Sequence, residues 1–158
     1  MPLRNFNNGA TSDLRLLLIE ARFYNQLSTE LLKGAISVLD SVNAIFDIVT
    51  VPGVLEIPAA VSMAVNAKHN KDIQYDGFIV LGVVIKGQTS HFDIITRESI
   101  RGLITLSVSK CLAVGNGIVM VDNEEQAWAR VSCLQLDKGG FAARAALKMI
   151  ELKKQLCQ

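Results

Sequence analysis

The chain has 158 residues, half of them hydrophobic, and a formal net charge of +1. That length fits one domain of the usual ~100–200 residues and can bury a core without metals or disulfides. A near-neutral balance gives no general argument for nucleic acid or an acidic membrane surface as a partner, and no apolar run reaches the ~20 residues of a bilayer span.

The opening MPLRNFNNGATSD is polar and has no apolar core of a secretory signal. Residues 1–12 are expected to be a flexible segment ahead of a single domain over 13–158. Leu14 to Ile19 is an apolar run broken only by Arg15 and reads as a buried strand. Leu31, Leu32, Ala35, Val38, Leu39 and Val42 then recur at helical spacing. Ile45 to Val51 reads as a second strand, ended by Pro52 and Gly53. Pro58 suits the first turn of the next helix, followed by Ala59, Ala60, Met63, Ala64 and Ala67. Asn70 to Asp76 is a polar loop.

Phe78 to Ile85 is almost wholly apolar, as a central parallel strand covered on both faces should be. Ile95, Ser99, Gly102, Leu103 and Leu106 mark one face of the helix after it. Ile118 to Val121 reads as a short fourth strand. Asn123, with Gln126 three residues on, reads as a capping box. Asp137 to Gly140 breaks the pattern before a last helix carrying Ala142, Ala145, Ala146, Met149 and Ile150. This alternation implies an α/β fold with a parallel sheet between helical layers. Ligands of such sheets bind beyond the carboxyl ends of the strands. The turns expected there are Arg22 to Tyr24, Pro52 to Pro58, Lys86 to His91 and Asp122 to Glu125.

The third of these turns carries the most chemistry. In GVVIKGQTSHF (82–92) a strand feeds a Gly/Thr/Ser turn and then a helix, which offers backbone N–H groups and a helix dipole to an anion. His91 adds the side-chain type that titrates near neutrality. A plainer account makes the turn a simple connection, with Ser90 and Asp93 capping the helix. His69, in AKHNKD, reads as a solvated loop residue. Glu56 lies between two prolines among apolar residues, so it is either hydrogen-bonded to local N–H groups or aimed at a ligand. Phe23 is core by default, or else an aromatic lid over a flat ligand. Arg130, on a short helix, and Lys138, in the following loop, are ordinary surface cations unless an anion site is shared between subunits. Trp128 reads as packing. The three cysteines (Cys111, Cys133, Cys157) lack metal-type spacing and fit reduced thiols in a cytoplasmic protein. No His/Cys/Asp/Glu cluster has the spacing of metal ligands.

Four segments together resemble the 6,7-dimethyl-8-ribityllumazine synthase family: VPGVLEIP (51–58), LGVVIKGQTSHFDII (81–95), GIVMVDNEEQAWAR (117–130) and DKGGFAARAAL (137–147). The resemblance implies a flavodoxin-like three-layer αβα sandwich around a four-stranded parallel sheet. It implies condensation of 5-amino-6-(D-ribitylamino)uracil with 3,4-dihydroxy-2-butanone 4-phosphate, the penultimate step of riboflavin biosynthesis, without metal or organic cofactor. It also implies homopentamers or higher multiples, with the site at a subunit interface and no nucleic acid or membrane partner. By motif position, His91 matches the acid/base histidine. Gln88 and Thr89 match the turn that holds the butanone phosphate, Arg130 the phosphate-binding arginine, and Lys138 a lysine near it. Phe23 matches the aromatic stacked on the pyrimidine. Val54, Leu55, Glu56, Val83, Val84 and Ile85 match contacts to the ring and ribityl chain, and Asn116 a residue supplied by the neighbouring subunit. Leu55 and Asn116 stand where Phe is common in the family, Lys86 where Arg is frequent, Met120 where Thr is usual, and Phe141 where an acidic residue often is. A second reading from a different class is a non-catalytic flavin or lumazine binder, or an assembly protein, on the same scaffold.

Overall fold

Four apolar runs line up in parallel: β1 (Arg15–Ala21), β2 (Ile45–Val51), β3 (Gly77–Ile85) and β4 (Val114–Val121), in the order β2-β1-β3-β4. This is the doubly wound order of flavodoxin-like sheets. The computed structural model describes residues 14–67 and 74–157. The segment 1–12, His69 and the start of the 70–76 loop lie outside the described residues. Five helices connect and follow the strands: α1 (Asn25–Ser41), α2 (Ile57–Asn66), α3 (His91–Ser109), α4 (Glu124–Val131) and α5 (Lys138–Leu156). None of them is long and apolar enough to cross a membrane.

Side chains alternate across a strand, so each apolar run feeds two cores. Leu16 and Leu18 of β1 and Ile79 and Leu81 of β3 pack with Ala35 and Leu39 of α1 and Ala142, Ala143 and Ala146 of α5. Leu17, Ile19, Phe78 and Val80 face the other way, onto Ile57 and Val61 of α2 and Leu103 of α3. A third cluster joins Leu27 and Leu31 to Val119, Val121, Ala127 and Val131 near the carboxyl ends of β3 and β4. Each fully buried Leu, Ile or Val contributes about 1.5–3 kcal/mol. The central position expected for β3 is thus borne out. The edge strand β2 differs, because Ile45, Ile48 and Val49 are exposed.

Three boundaries depart from the sequence pattern, each for a packing reason. Helix α1 begins at Asn25, ahead of the expected Leu31, because Leu27 already packs into a core cluster with Leu31, Val119 and Val121. Strand β4 begins at Val114 rather than Ile118, since Gly115 and Gly117 hide its start from an apolar count. A Cβ at Gly115 would collide with the Ala142 carbonyl of α5. The supposed break at 137–140 is the start of α5. Asp137, in the left-handed region with φ 42°, caps the helix by accepting from the Gly140 N–H at 3.0 Å. A Cβ at Gly139 would meet the Leu31 carbonyl, so α1 and α5 touch backbone to backbone there.

The amino ends of the strands are tied by a polar network. Arg15 donates to Asp47 Oδ2 from Nε at 3.1 Å and from Nη2 at 2.9 Å, and the Tyr75 hydroxyl donates to the same oxygen at 2.9 Å. The Arg15 N–H bonds Asp76 at 2.8 Å. The Arg15 bonds, with help from Tyr75, hold the Asp47 carboxyl below its ordinary pKa. Burial, then Asp47, raises the Tyr75 phenol.

Candidate active site

Three strand ends and one helix start enclose a groove of about 410 Å³. The turn after β1 supplies Phe23 and Tyr24. The turn after β2, a short 3-10 segment over Val54–Glu56, supplies Pro52 to Glu56. Strand β3 supplies Val83, Val84 and Ile85 as it runs out of the sheet, and Gly87, Thr89, His91, Phe92 and Ile95 complete the wall. The expected turns therefore meet at the carboxyl ends of the strands, where the doubly wound order places ligands. The turn after β4 does not join them.

The default reading of Phe23 as core is corrected: its ring is 75% exposed and touches Tyr24 edge-on, centroids 5.0 Å apart. The turn bends the chain out at that point, so the ring stands over the groove rather than beneath the sheet. Glu56 lines the groove, and among the described residues its carboxylate has no hydrogen-bond partner, so the local N–H alternative is not what it does. Ser90 sits at the N-cap of α3 with helical dihedrals and makes no side-chain cap. Instead the Thr89 hydroxyl accepts from the His91 N–H at 3.4 Å. His91 is the first residue of α3, exposed at the groove's rim. Gln88 lies in the same turn, exposed, but does not line the groove.

Asn116, Arg130 and Lys138 are elsewhere. They line a separate cavity of about 280 Å³ with Gly117 to Met120 of β4 and Phe141 of α5. Lys138 opens α5 rather than sitting in a loop, and its ammonium lies 5.0 Å from the centre of the Phe141 ring. Arg130 donates to the Gln126 carbonyl at 3.1 Å. Helix α4 holds Arg130 there through its cap: Asn123 Oδ1 accepts from the Gln126 N–H, and Gln126 Oε1 returns a bond to the Asp122 N–H. That return bond lands one residue before the cap of the expected box. Arg15, Arg22, Lys33, Arg101, Arg144 and Lys148 are each paired with a carboxylate. Among the described residues Lys86, Arg97, Lys110, Lys153 and Lys154 have no such partner either; Arg130 and Lys138 are the two unpaired cations that line this cavity, where their charge is available to an anion. The Asn116 oxygen accepts from the Ile118 N–H at 2.9 Å on the open edge of β4.

Sequence reasoning missed Phe92 and Ile95 as groove residues. Their helical spacing is a core signal, and the same face of α3 serves both purposes over its first turn. The groups with displaced pKa lie outside the groove. Besides Asp47 and Tyr75, Glu30 is lowered by the Cys133 N–H, and burial raises the Cys133 thiol. Among the described residues no three His, Cys, Asp or Glu side chains converge to hold a metal.

A doubly wound sheet with an aromatic-topped groove at its switch point and a rim histidine is the architecture of an α/β protein that takes small molecules at its strand ends. Residues 13–154 match the sequence profile of 6,7-dimethyl-8-ribityllumazine synthase. Similar proteins include the 6,7-dimethyl-8-ribityllumazine synthase of Agrobacterium fabrum, 57% identical over 141 residues, which cover 89% of this chain and 95% of that one. The 6,7-dimethyl-8-ribityllumazine synthase 1 of Rhizobium meliloti is 55% identical over 143 residues, 90% and 94% of the two chains. That of Bartonella henselae is 53% identical over 142 residues, 90% of each. The chain belongs to the 6,7-dimethyl-8-ribityllumazine synthase family.

Proposed function

We propose that the groove and the Arg130 cavity are two halves of one catalytic site, joined when copies of this chain assemble as a homopentamer or a multiple of it. The reaction is that of the family: 5-amino-6-(D-ribitylamino)uracil condenses with 3,4-dihydroxy-2-butanone 4-phosphate to 6,7-dimethyl-8-ribityllumazine, a transferase step of riboflavin biosynthesis. One observation carries the two-half reading. The aromatic platform and His91 line one cavity, Arg130 and Lys138 line another, and the two share no residue. Exposed apolar side chains support self-association. Ile45, Ile48 and Val49 lie along β2, Met63 on α2, Ile94, Ile104 and Val108 on α3, and Leu134 and Leu136 before α5.

In this reading the pyrimidine stacks on Phe23. Val54, Leu55, Val83, Val84 and Ile85 line its apolar surround, and Glu56 accepts hydrogen bonds from ring N–H or ribityl hydroxyl groups. Asn116 of the partner subunit closes the far side. The phosphate docks at the start of α3, on N–H groups around Gln88 and Thr89, where the helix dipole favours negative charge. Arg130 and Lys138 of the partner subunit add full charges. The ring amine attacks the ketone and water leaves as the imine forms. The phosphate ester is then eliminated as inorganic phosphate, and the ribitylamino nitrogen closes the second ring with loss of water. His91 carries protons between these steps. Holding two reactants in register supplies the larger share of the acceleration. The free thiols of Cys111, Cys133 and Cys157 fit a cytoplasmic setting.

Subunit mixing tests the shared site. A variant carrying both Phe23→Ala and His91→Ala is disassembled and reassembled with Arg130→Ala. In random hybrids about a quarter of the interfaces pair an intact groove with an intact Arg130, so lumazine formation returns to about that fraction of the parent rate. A mixture no more active than its two components would show that one chain holds the whole site.

A further inference from the structure

Among the described residues Glu20 is the most deeply buried charged one. It is 4% exposed, at the end of β1, and lines neither cavity. A buried carboxylate is costly unless paired and hydrogen-bonded, and this one is fully engaged. Arg22 donates from Nη1 to both its oxygens, at 3.3 and 3.1 Å, and the Thr50 hydroxyl on β2 donates to Oε1 at 3.2 Å. The other end of the guanidinium fork reaches into α1, donating from Nη2 to the Asn25 carbonyl at 3.3 Å and the Thr29 hydroxyl oxygen at 2.6 Å. Ser28 adds a bond to the Ala21 carbonyl at 3.2 Å. Strand end and helix start are thus fastened on both sides of two residues, Phe23 and Tyr24.

Those two residues carry the groove's aromatic platform. Phe23, 75% exposed, has little packing to fix its direction beyond its edge contact with Tyr24. Its orientation must come from the backbone beneath it. We propose that Glu20 and Arg22 are a positioning pair that holds the Phe23 ring over the groove. The inference rests on the reading of that groove as the pyrimidine site. A fold needing only stability here is served as well by an apolar pair of equal volume. The fork geometry of Arg22, bridging strand to helix, is what a fixed turn requires.

Steady-state kinetics on the assembled enzyme test this, varying each substrate, with Phe23→Ala, Arg22→Met, Arg22→Lys, Thr29→Val and the Arg22→Met/Phe23→Ala double variant. Phe23→Ala is expected to raise the KM for the pyrimidine about tenfold. Arg22→Met raises it about fivefold, and the double variant is no worse than Phe23→Ala alone, as two residues acting through one contact should be. Arg22→Lys falls between parent and Arg22→Met, because an ammonium cannot span both anchors. The KM for the butanone phosphate stays at the parent value throughout. Thr29→Val leaves the buried pair intact and still raises the pyrimidine KM about twofold, a rise that vanishes in the Phe23→Ala background. It decides the matter alone if Arg22→Met does not assemble. Effects of Arg22→Met or Thr29→Val that persist undiminished without Phe23, or that fall equally on both substrates, would overturn the positioning role and leave the groove reading standing. A Phe23→Ala variant with an unchanged pyrimidine KM would overturn both.

Discussion

The amino ends of the sheet and the groove at its carboxyl ends treat polar groups in opposite ways. At the amino ends Arg15, Asp47, Tyr75 and Asp76 close on one another, each bond linking one strand or its approach to the next. At the carboxyl ends Glu56 and His91 line an open groove, and among the described residues their side chains bond to none. Phe23 stands out there in water. The first end serves folding and is complete in one chain. The second leaves donors, acceptors and an aromatic face unspent, and Arg130 and Lys138 lie apart from it on α4 and α5. Polar side chains that folding leaves to water at the strand ends are the better guide to where chemistry happens.

If that contrast is right, substitutions of the unbonded groove side chains change rate without changing stability, and those in the amino-end network do the reverse. His91→Ala should give the largest effect on turnover, a loss of about 10²-fold in kcat. That is the lower end of what acid–base catalysis supplies, because positioning contributes the rest. Its thermal midpoint should match the parent, since the ring is exposed and makes no bond that folding would lose. A fall in midpoint comparable to that of a core substitution would break the contrast at its strongest point.

Arg130→Ala should come next, with kcat/KM for the butanone phosphate falling about 10- to 100-fold, the range for losing a charged hydrogen-bond partner. The KM for the pyrimidine should hold. The lost Gln126 carbonyl bond lies within α4 and leaves the helix its Asn123 cap, so the fold persists. An unchanged KM for the phosphate ester would show that the second cavity serves packing between copies and not the substrate.

The sequence carried much of the first region's logic and only part of the second's. Strand β3 was legible because a parallel strand buried on both faces has no choice but to be apolar. The turns at the groove were legible because proline, glycine and hydroxyl residues punctuate the chain where strands end. What escaped was set by contacts between distant segments. Gly115 and Gly139 look like breaks, yet each sits inside an element because another backbone passes too close for a side chain. Phe23 reads as core by residue type, and only the direction of its turn places it outside. The separation of Arg130 and Lys138 from His91 has no local signature. The resemblance named those residues, and the outward face of β4 and α4, which no spacing rule encodes, decides that one chain does not bring them together.

The smallest expected effect tests the amino end. Asp47 has its carboxyl held below the ordinary range by the Arg15 guanidinium and the Tyr75 hydroxyl. A depressed folded-state pKa adds stability that is present above the unfolded value of roughly 3.9 and is lost as pH falls through the lower folded value. Both partners are about a third or more exposed, which keeps the pair near the size of a surface ion pair. Asp47→Asn should therefore lower the neutral-pH stability by about 0.2–1 kcal/mol, leave both KM values and kcat at neutral pH unchanged, and flatten the loss of stability below about pH 4. Tyr75 provides the opposite arm. Its raised pKa adds stability that is full below the unfolded value near 10 and lost as pH rises through the folded one, so Tyr75→Phe should flatten the alkaline limb instead. Chemical denaturation of the two variants across pH would separate these limbs. A change in catalytic rate at neutral pH in either variant would mean that the two ends of the sheet are coupled after all, with β1, which runs from Arg15 to the Glu20–Arg22 clamp, as the element that couples them.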